Sequence, residues 1–130
     1  RQSHPLSLMT SYNLLGGEHT ANHYALLSAV LRDEWGFDGI VMTDWGTTGG
    51  GDMNPAVDDK YGFSDPAGCI KAGNDLIMPG SQEDVDGILN ALDKAPGEAP
   101  YPITMAQLQS CAKRMLSLIL RCEIARRNAG

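Results

Sequence analysis

Apolar positions run through the chain in short blocks whose spacing changes from segment to segment, and each change marks an element. Leu6 to Tyr12 is an apolar run closed by Asn13 and the Gly16-Gly17 pair, the pattern of a strand followed by a loop. Leu26, Leu27, Val30, Leu31 and Trp35 recur at helical spacing up to Gly36, and Asn22 is placed to cap that helix. The next block, Ile40-Val41-Met42, is continuous rather than alternating, as a strand buried on both faces requires, and it runs into Thr43-Asp44-Trp45. A strand, a helix and a strand with a crossover of this length predict parallel pairing.

From Gly46 to Ser64 a loop rich in Gly and Asp, holding Gly49-Gly50-Gly51, exceeds the usual connection in such a unit. Asp65-Pro66 predicts an N-cap and first helical position for a short helix through Ala72, and Leu76-Ile77-Met78 predicts a third strand ending at Pro79-Gly80. Ser81 is placed to cap a helix with Val85, Ile88, Leu89 and Leu92 on one face, which breaks at Ala95-Pro96-Gly97. Thr104 with Gln107 predicts a capping box ahead of a long helix carrying Leu108, Met115, Leu116, Ile119 and Leu120. The fold class is therefore α/β, about three parallel strands alternating with helices plus a long C-terminal helix. Residues 1–95 hold the strand and helix units, 96–103 form a linker by composition, and 104–127 form the terminal helix. Three strands do not close a barrel, so the chain reads as a fragment of something longer, with an uncovered sheet edge that predicts self-association.

Composition narrows the function. The hydrophobic fraction of 42% suffices for a core, while a net charge of -6 argues against nucleic acid and against an anionic membrane surface. No apolar run approaches the length of a membrane span. A neutral or cationic small ligand fits better. Lys113, Arg114, Arg121, Arg126 and Arg127 gather near the C-terminus, where the dipole of a last helix favours cations, and they read as its solvated face. Cys69, Cys111 and Cys122 are odd in number and lack CxxC spacing, which fits neither a disulfide framework nor a zinc ribbon. Reduced thiols lean towards the cytoplasm without fixing a location. His19 and His23 have the spacing of helical metal ligands but no third ligand nearby, and no Lys-Ser/Thr follows the glycines at 49–51, so neither a metal, a phosphate cradle nor another cofactor is expected.

Asp44 is the first candidate for chemistry, since catalytic groups in parallel α/β folds stand where strands end. An Asp after a strand also serves as a turn former or helix cap, and position alone does not separate these roles.

Four motifs in order, Met9-Thr10-Ser11-Tyr12-Asn13, Leu31-Arg32-Asp33-Glu34-Trp35-Gly36-Phe37-Asp38-Gly39, Thr43-Asp44-Trp45 and Ala72-Gly73-Asn74-Asp75-Leu76-Ile77-Met78-Pro79-Gly80, together resemble glycoside hydrolase family 3, which includes many β-glucosidases. The resemblance implies a partial TIM-type (β/α)8 barrel, with this chain similar to its last third. It implies a retaining, exo-acting hydrolase of terminal β-D-glucosyl residues with Asp44 as nucleophile. Trp45 would wall the sugar or leaving group, and Tyr12 and Met9 would line the subsite of the scissile sugar; without the resemblance all three read as packing. Arg32, Asp33, Asp38 and Asp75 belong to the same signature and are expected to be structural, Asp75 as a buried acid held by loop amides. The second carboxyl group and the sugar-gripping Lys-His and Arg positions would lie elsewhere in the parent, the former in an accessory domain. Glu18, Glu34 and Glu83 read as loop or helix-surface residues. Gly16 stands where the family more often has Asn. The expected partners are a β-glucoside or oligosaccharide substrate and the rest of the parent chain, the fragment being inactive alone. Alternatives are a β-xylosidase or β-N-acetylglucosaminidase specificity, or a non-catalytic sugar-binding or assembly module in which Asp44 is structural.

Overall fold

The structure, a computed structural model, describes residue 3, residues 5–49 and residues 62–128. Strands β1 (Ser7–Met9) and β4 (Ile40–Met42) pair in parallel, with Leu8 opposite Val41 and Met9 opposite Met42. The crossover helix Ala25–Glu34 joins them and is wound with wide, π-type bonds such as Trp35 N–H to Val30 O. Its Leu27 and Leu31 bury against Val41 and Ala72, with Leu8, Leu26 and Phe37 at the margin. Gly39 makes the close strand approach possible, because a Cβ there would stand 2.4 Å from the Leu6 carbonyl oxygen and 2.7 Å from the Phe37 ring.

Several predicted features take a different form. The loop after Tyr12 is a hairpin of β2 (Leu14–Leu15) and β3 (Glu18–His19). Its turn holds Gly16 at φ 63° and Gly17 at φ 90°, a left-handed pair of the kind a tight hairpin turn takes, which Gly-Gly supplies as Asn-Gly would. Asn22 does not cap the crossover helix: the imidazole Nδ1 of His23 accepts from Leu26 N–H instead. Asn22 is buried and bonds across the fold, its Oδ1 accepting from the Ser64 hydroxyl and Asp65 N–H and its amide donating to Asp65 O.

The third strand shrinks to a parallel bridge between Leu76 and Met42. Two side chains take the place of ladder partners. The Asp75 carboxylate accepts Val41 N–H at 2.9 Å, and the Thr43 hydroxyl accepts Met78 N–H at 2.9 Å. The described strands thus give a mixed α/β architecture of two parallel strands and a bridge, without barrel closure.

Helix α1 (Pro66–Ala72) starts as predicted, Asp65 accepting Gly68 N–H at 2.8 Å. Helix α2 (Gln82–Ala91) starts at Ser81, which accepts Asp84 N–H at 3.1 Å. Of its predicted apolar face, Ile88 and Leu92 pack on a second core of Ala67, Ile70, Ala91, Ile103 and Cys111, while Val85 and Leu89 are exposed. Residues 96–103, a linker by composition, deliver Ile103 into that core at 1% exposure and bridge it to Leu92. Helix α3 (Met105–Asn128) opens with the capping box, Thr104 N–H to Gln107 Oε1 at 2.8 Å and Gln107 N–H to Thr104 Oγ1 at 3.3 Å. It buries Cys111 and packs Leu108 on the core, but Leu116, Ile119, Leu120 and Ile124 are exposed.

Ile103 distinguishes a spacer from a core segment. Ile103→Ala is expected to lower the free energy of unfolding by about 2–5 kcal/mol in chemical denaturation. Leu120→Ala, at a position 62% exposed, is expected to stay within about 0.5 kcal/mol of the parent.

Candidate active site

β4 delivers Asp44 to its C-terminal end through a rigid neck. Thr43 is fully buried, donates its N–H to Leu76 O at 3.0 Å and receives Met78 N–H on its hydroxyl. One residue past the carboxylate and its tryptophan, Gly46 N–H bonds to Met78 O at 2.7 Å. Asp44 is therefore held on both sides by the chain that follows α1.

The turn beyond it uses Asp44 as an acceptor twice. Its Oδ1 takes Trp45 N–H at 2.7 Å, and its carbonyl takes the Thr47 hydroxyl at 2.9 Å. Asp44 thus does form a turn, yet its side chain stays partly exposed.

Tyr12 comes to this point from the end of β1. Its hydroxyl donates to Trp45 O at 2.8 Å. Desolvation of the hydroxyl, followed by hydrogen bonding to Asp44 and the negative charge of Asp44, holds the phenol above its ordinary range. Tyr12 and Trp45 remain 45% and 41% exposed, so the carboxylate is flanked by aromatic surface open to a ligand. Met9 is also exposed and lines a hollow of about 240 Å³ with Leu8, Thr10, Leu26 and Trp35. The described contacts bring Tyr12, Asp44 and Trp45 together and leave Met9 on the adjoining apolar surface.

Other nucleophiles and ligands fare worse. Burial pushes the Cys69 thiol up to about 12, and burial likewise raises Cys111, so both stay protonated and unreactive. His19 Nε2 lies 3.1 Å from Gly62 O, where an N–H donor ties the hairpin to Gly62. Among the described residues no group of three or more His, Cys, Asp or Glu side chains could hold a metal ion. None of the described helices is long and apolar enough to cross a membrane.

The remaining charged residues of the four motifs sort clearly. Asp75 has a fully buried side chain, with Arg32 Nη2 at 2.8 Å from Oδ2 and Arg114 Nε at 2.5 Å from Oδ1. It is held by two guanidinium groups and one strand amide rather than by loop amides. Arg114 accordingly leaves the solvated face of α3, and no local pattern on that helix marks it. Asp38 pairs with Arg121 at the surface.

A carboxylate presented at the C-terminal end of a buried parallel strand and flanked by exposed aromatics places the chain in a class: an α/β protein with a candidate site at the position where such folds carry theirs. The family model described as the glycosyl hydrolase family 3 N terminal domain matches residues 2–118, and the chain belongs to that family. It is 38% identical over 125 residues to an exo-alpha-(1->6)-L-arabinopyranosidase of Bifidobacterium longum, covering 96% of this chain and 14% of that protein. It is 33% identical over 134 residues to a beta-glucosidase of Ruminococcus albus, covering 100% of this chain and 13% of that one. Among solved structures, the GH3 beta-glucosidase of Bifidobacterium adolescentis superposes with a TM-score of 0.69 at 34% identity, over 95% of this chain and 15% of that chain. The chain thus spans about one seventh of the length of these relatives.

The contact between Tyr12 and Asp44 has a spectroscopic consequence. Asp44→Asn removes the negative charge and is expected to lower the ionisation midpoint of Tyr12, without restoring it fully because desolvation remains. Ultraviolet titration of tyrosinate, with Tyr12→Phe as the subtraction control, measures the shift.

Proposed function

We propose that the longer polypeptide carrying this chain is a retaining, exo-acting glycoside hydrolase of the β-glucosidase type, and that Asp44 is its nucleophile. The observation that carries this reading is the Asp44 carboxylate, anchored through Oδ1 at the end of β4 and left open beside Tyr12 and Trp45. Ionised Asp44 attacks the anomeric carbon of a terminal sugar as a second carboxyl group protonates the departing oxygen. The glycosyl ester on Asp44 is then hydrolysed by water, which the second group deprotonates.

The local contacts support the division of labour. The Trp45 amide orients one carboxylate oxygen so that the other faces the sugar, and the raised phenol of Tyr12 stays a neutral hydrogen-bond donor at neutral pH. The Trp45 indole offers a flat apolar wall to the pyranose. Met9 extends the lining on the β1 side. Retention requires the acid and base to stand roughly 5 Å from the nucleophile, and we assign that group, with the remaining sugar contacts, to the rest of the barrel and an accessory domain of the parent. The chain alone is accordingly inactive.

A second specificity is favoured by one observation, the 38% identity to a protein named as an exo-alpha-(1->6)-L-arabinopyranosidase. The nucleophile would serve either sugar, and the choice between them falls to groups that meet the substituent on the ring.

The test uses the full-length parent with nitrophenyl β-D-glucoside and α-L-arabinopyranoside. Asp44→Asn is expected to lower kcat by about three orders of magnitude or more with the fold retained by circular dichroism. Azide added to Asp44→Gly is expected to restore turnover and yield the glycosyl azide of inverted configuration. Unchanged kcat in Asp44→Asn would return the residue to its turn-forming role.

A further inference from the structure

The Asp75 cluster is more than a buried ion pair, because of what it grips. Asp75 brackets a single residue of the strand that leads to Asp44: its carboxylate accepts Val41 N–H at 2.9 Å, and its own N–H donates to Val41 O at 2.7 Å. Val41 lies three residues before Asp44, a distance of about 10 Å along an extended strand. The next contacts along the same two segments are Thr43 N–H to Leu76 O and Gly46 N–H to Met78 O, which flank Asp44. The register fixed at Val41 is thus carried to the carboxylate.

The carboxylate is itself fixed by cations from two different helices. Arg32 reaches it from the crossover helix and also donates to Gly39 O and Gly73 O at 3.1 and 2.7 Å. Arg114 reaches it from α3, more than one hundred residues from β1 in sequence, and holds Cys111 Sγ at 3.5 Å while Cys111 donates to Asn74 O. Arg114 has no other described acceptor. Its orientation is therefore committed to this cluster.

We propose that Asp75 and Arg114 form a positioning pair for Asp44, so that α3 sets the attack geometry without touching the sugar. The inference rests on the assignment of Asp44 as nucleophile. Losing Arg114 strips Oδ1 of its cation and leaves the carboxylate held through Oδ2 alone, by Arg32 and Val41 N–H, so its plane tilts, the two segments shift and Asp44 moves relative to the anomeric carbon. A displacement of about 1 Å at a reacting group costs roughly 10²-fold in rate.

The experiment is active-site titration of the full-length parent with a 2-deoxy-2-fluoro glucoside bearing a dinitrophenyl leaving group. The burst amplitude counts folded, competent sites, and its rate constant reports attack by Asp44. Arg114→Gln is expected to reduce that rate constant by about 10- to 100-fold at near-parental amplitude. Arg114→Lys, which keeps the charge and one donor, is expected to recover part of the rate and keeps the test decisive if the Gln variant folds poorly. Arg121→Gln, which breaks only the surface pair with Asp38, is the control expected to leave both quantities unchanged. A parental rate constant with reduced amplitude in both Arg114 variants would make the pair purely structural and overturn the proposal. Absence of an adduct on Asp44 in the parent itself would overturn the nucleophile assignment, an outcome distinct from the first.

Discussion

A carboxylate cut off from water must be supplied with cations and donors, and the fold around Asp75 is arranged to meet that requirement. Its side chain is fully buried and receives Arg32, Arg114 and the Val41 amide. A buried pair of this kind contributes little net stability when compared with a well-packed apolar substitute. Removing Asp75 is another matter, since it strands the largely buried Arg32 guanidinium at a cost of about 3–5 kcal/mol. The crossover helix, β4, the bridge at Leu76 and α3 are therefore tied to one point by the penalty for leaving it.

The same arrangement explains why the strands are so short. A parallel ladder would spend Val41 N–H and Met78 N–H on backbone carbonyls. Here the first goes to Asp75 and the second to Thr43, and regular pairing gives way to a bridge. What the sheet loses in regularity it gains in definition at one place, because side chains specify a register that backbone groups alone would allow to slide. That place is the approach to Asp44.

Much of this was legible in the residues themselves, for reasons that differ from element to element. Asp65-Pro66, Ser81 and the Thr104-Gln107 box were readable because a cap is a local bond between residues two or three apart. The β1 to β4 pairing was readable because Ile40-Val41-Met42 is continuous and a crossover of this length permits little else. The role of Asn22 was not, since its partners Ser64 and Asp65 lie more than forty residues away and a cap was the nearer explanation. Arg114 was hidden for the same reason, one arginine among several on a helix, marked only by Asp75 thirty-nine residues earlier. Ile103 was masked by the prolines around it, which signal a turn whether or not the turn carries a core residue. At the site, the strand-end position of Asp44 was visible in sequence, whereas the bond of Tyr12 to Trp45 O required the fold.

The exposed apolar surface follows from the same economy. Burial in this chain goes to the two cores and to the polar groups that hold the neck of Asp44, Thr43 and Thr47 among them. Trp45, Tyr12 and Met9 are left open at the ends of the strands, and the second half of α3 carries Leu116, Ile119 and Leu120 outward. Under the proposed function, aromatics beside a carboxylate have a use for exposure, since a sugar offers both hydroxyls and an apolar ring face. A helix stripe has none, and large apolar patches on a protein surface ordinarily meet another surface. The segment spans about one seventh of its relatives, so chain of the kind that could cover such a stripe exists in them. A helix pinned at Arg114 on one side and covered on the other would be held from both faces, and the grip on Asp75 would tighten with it.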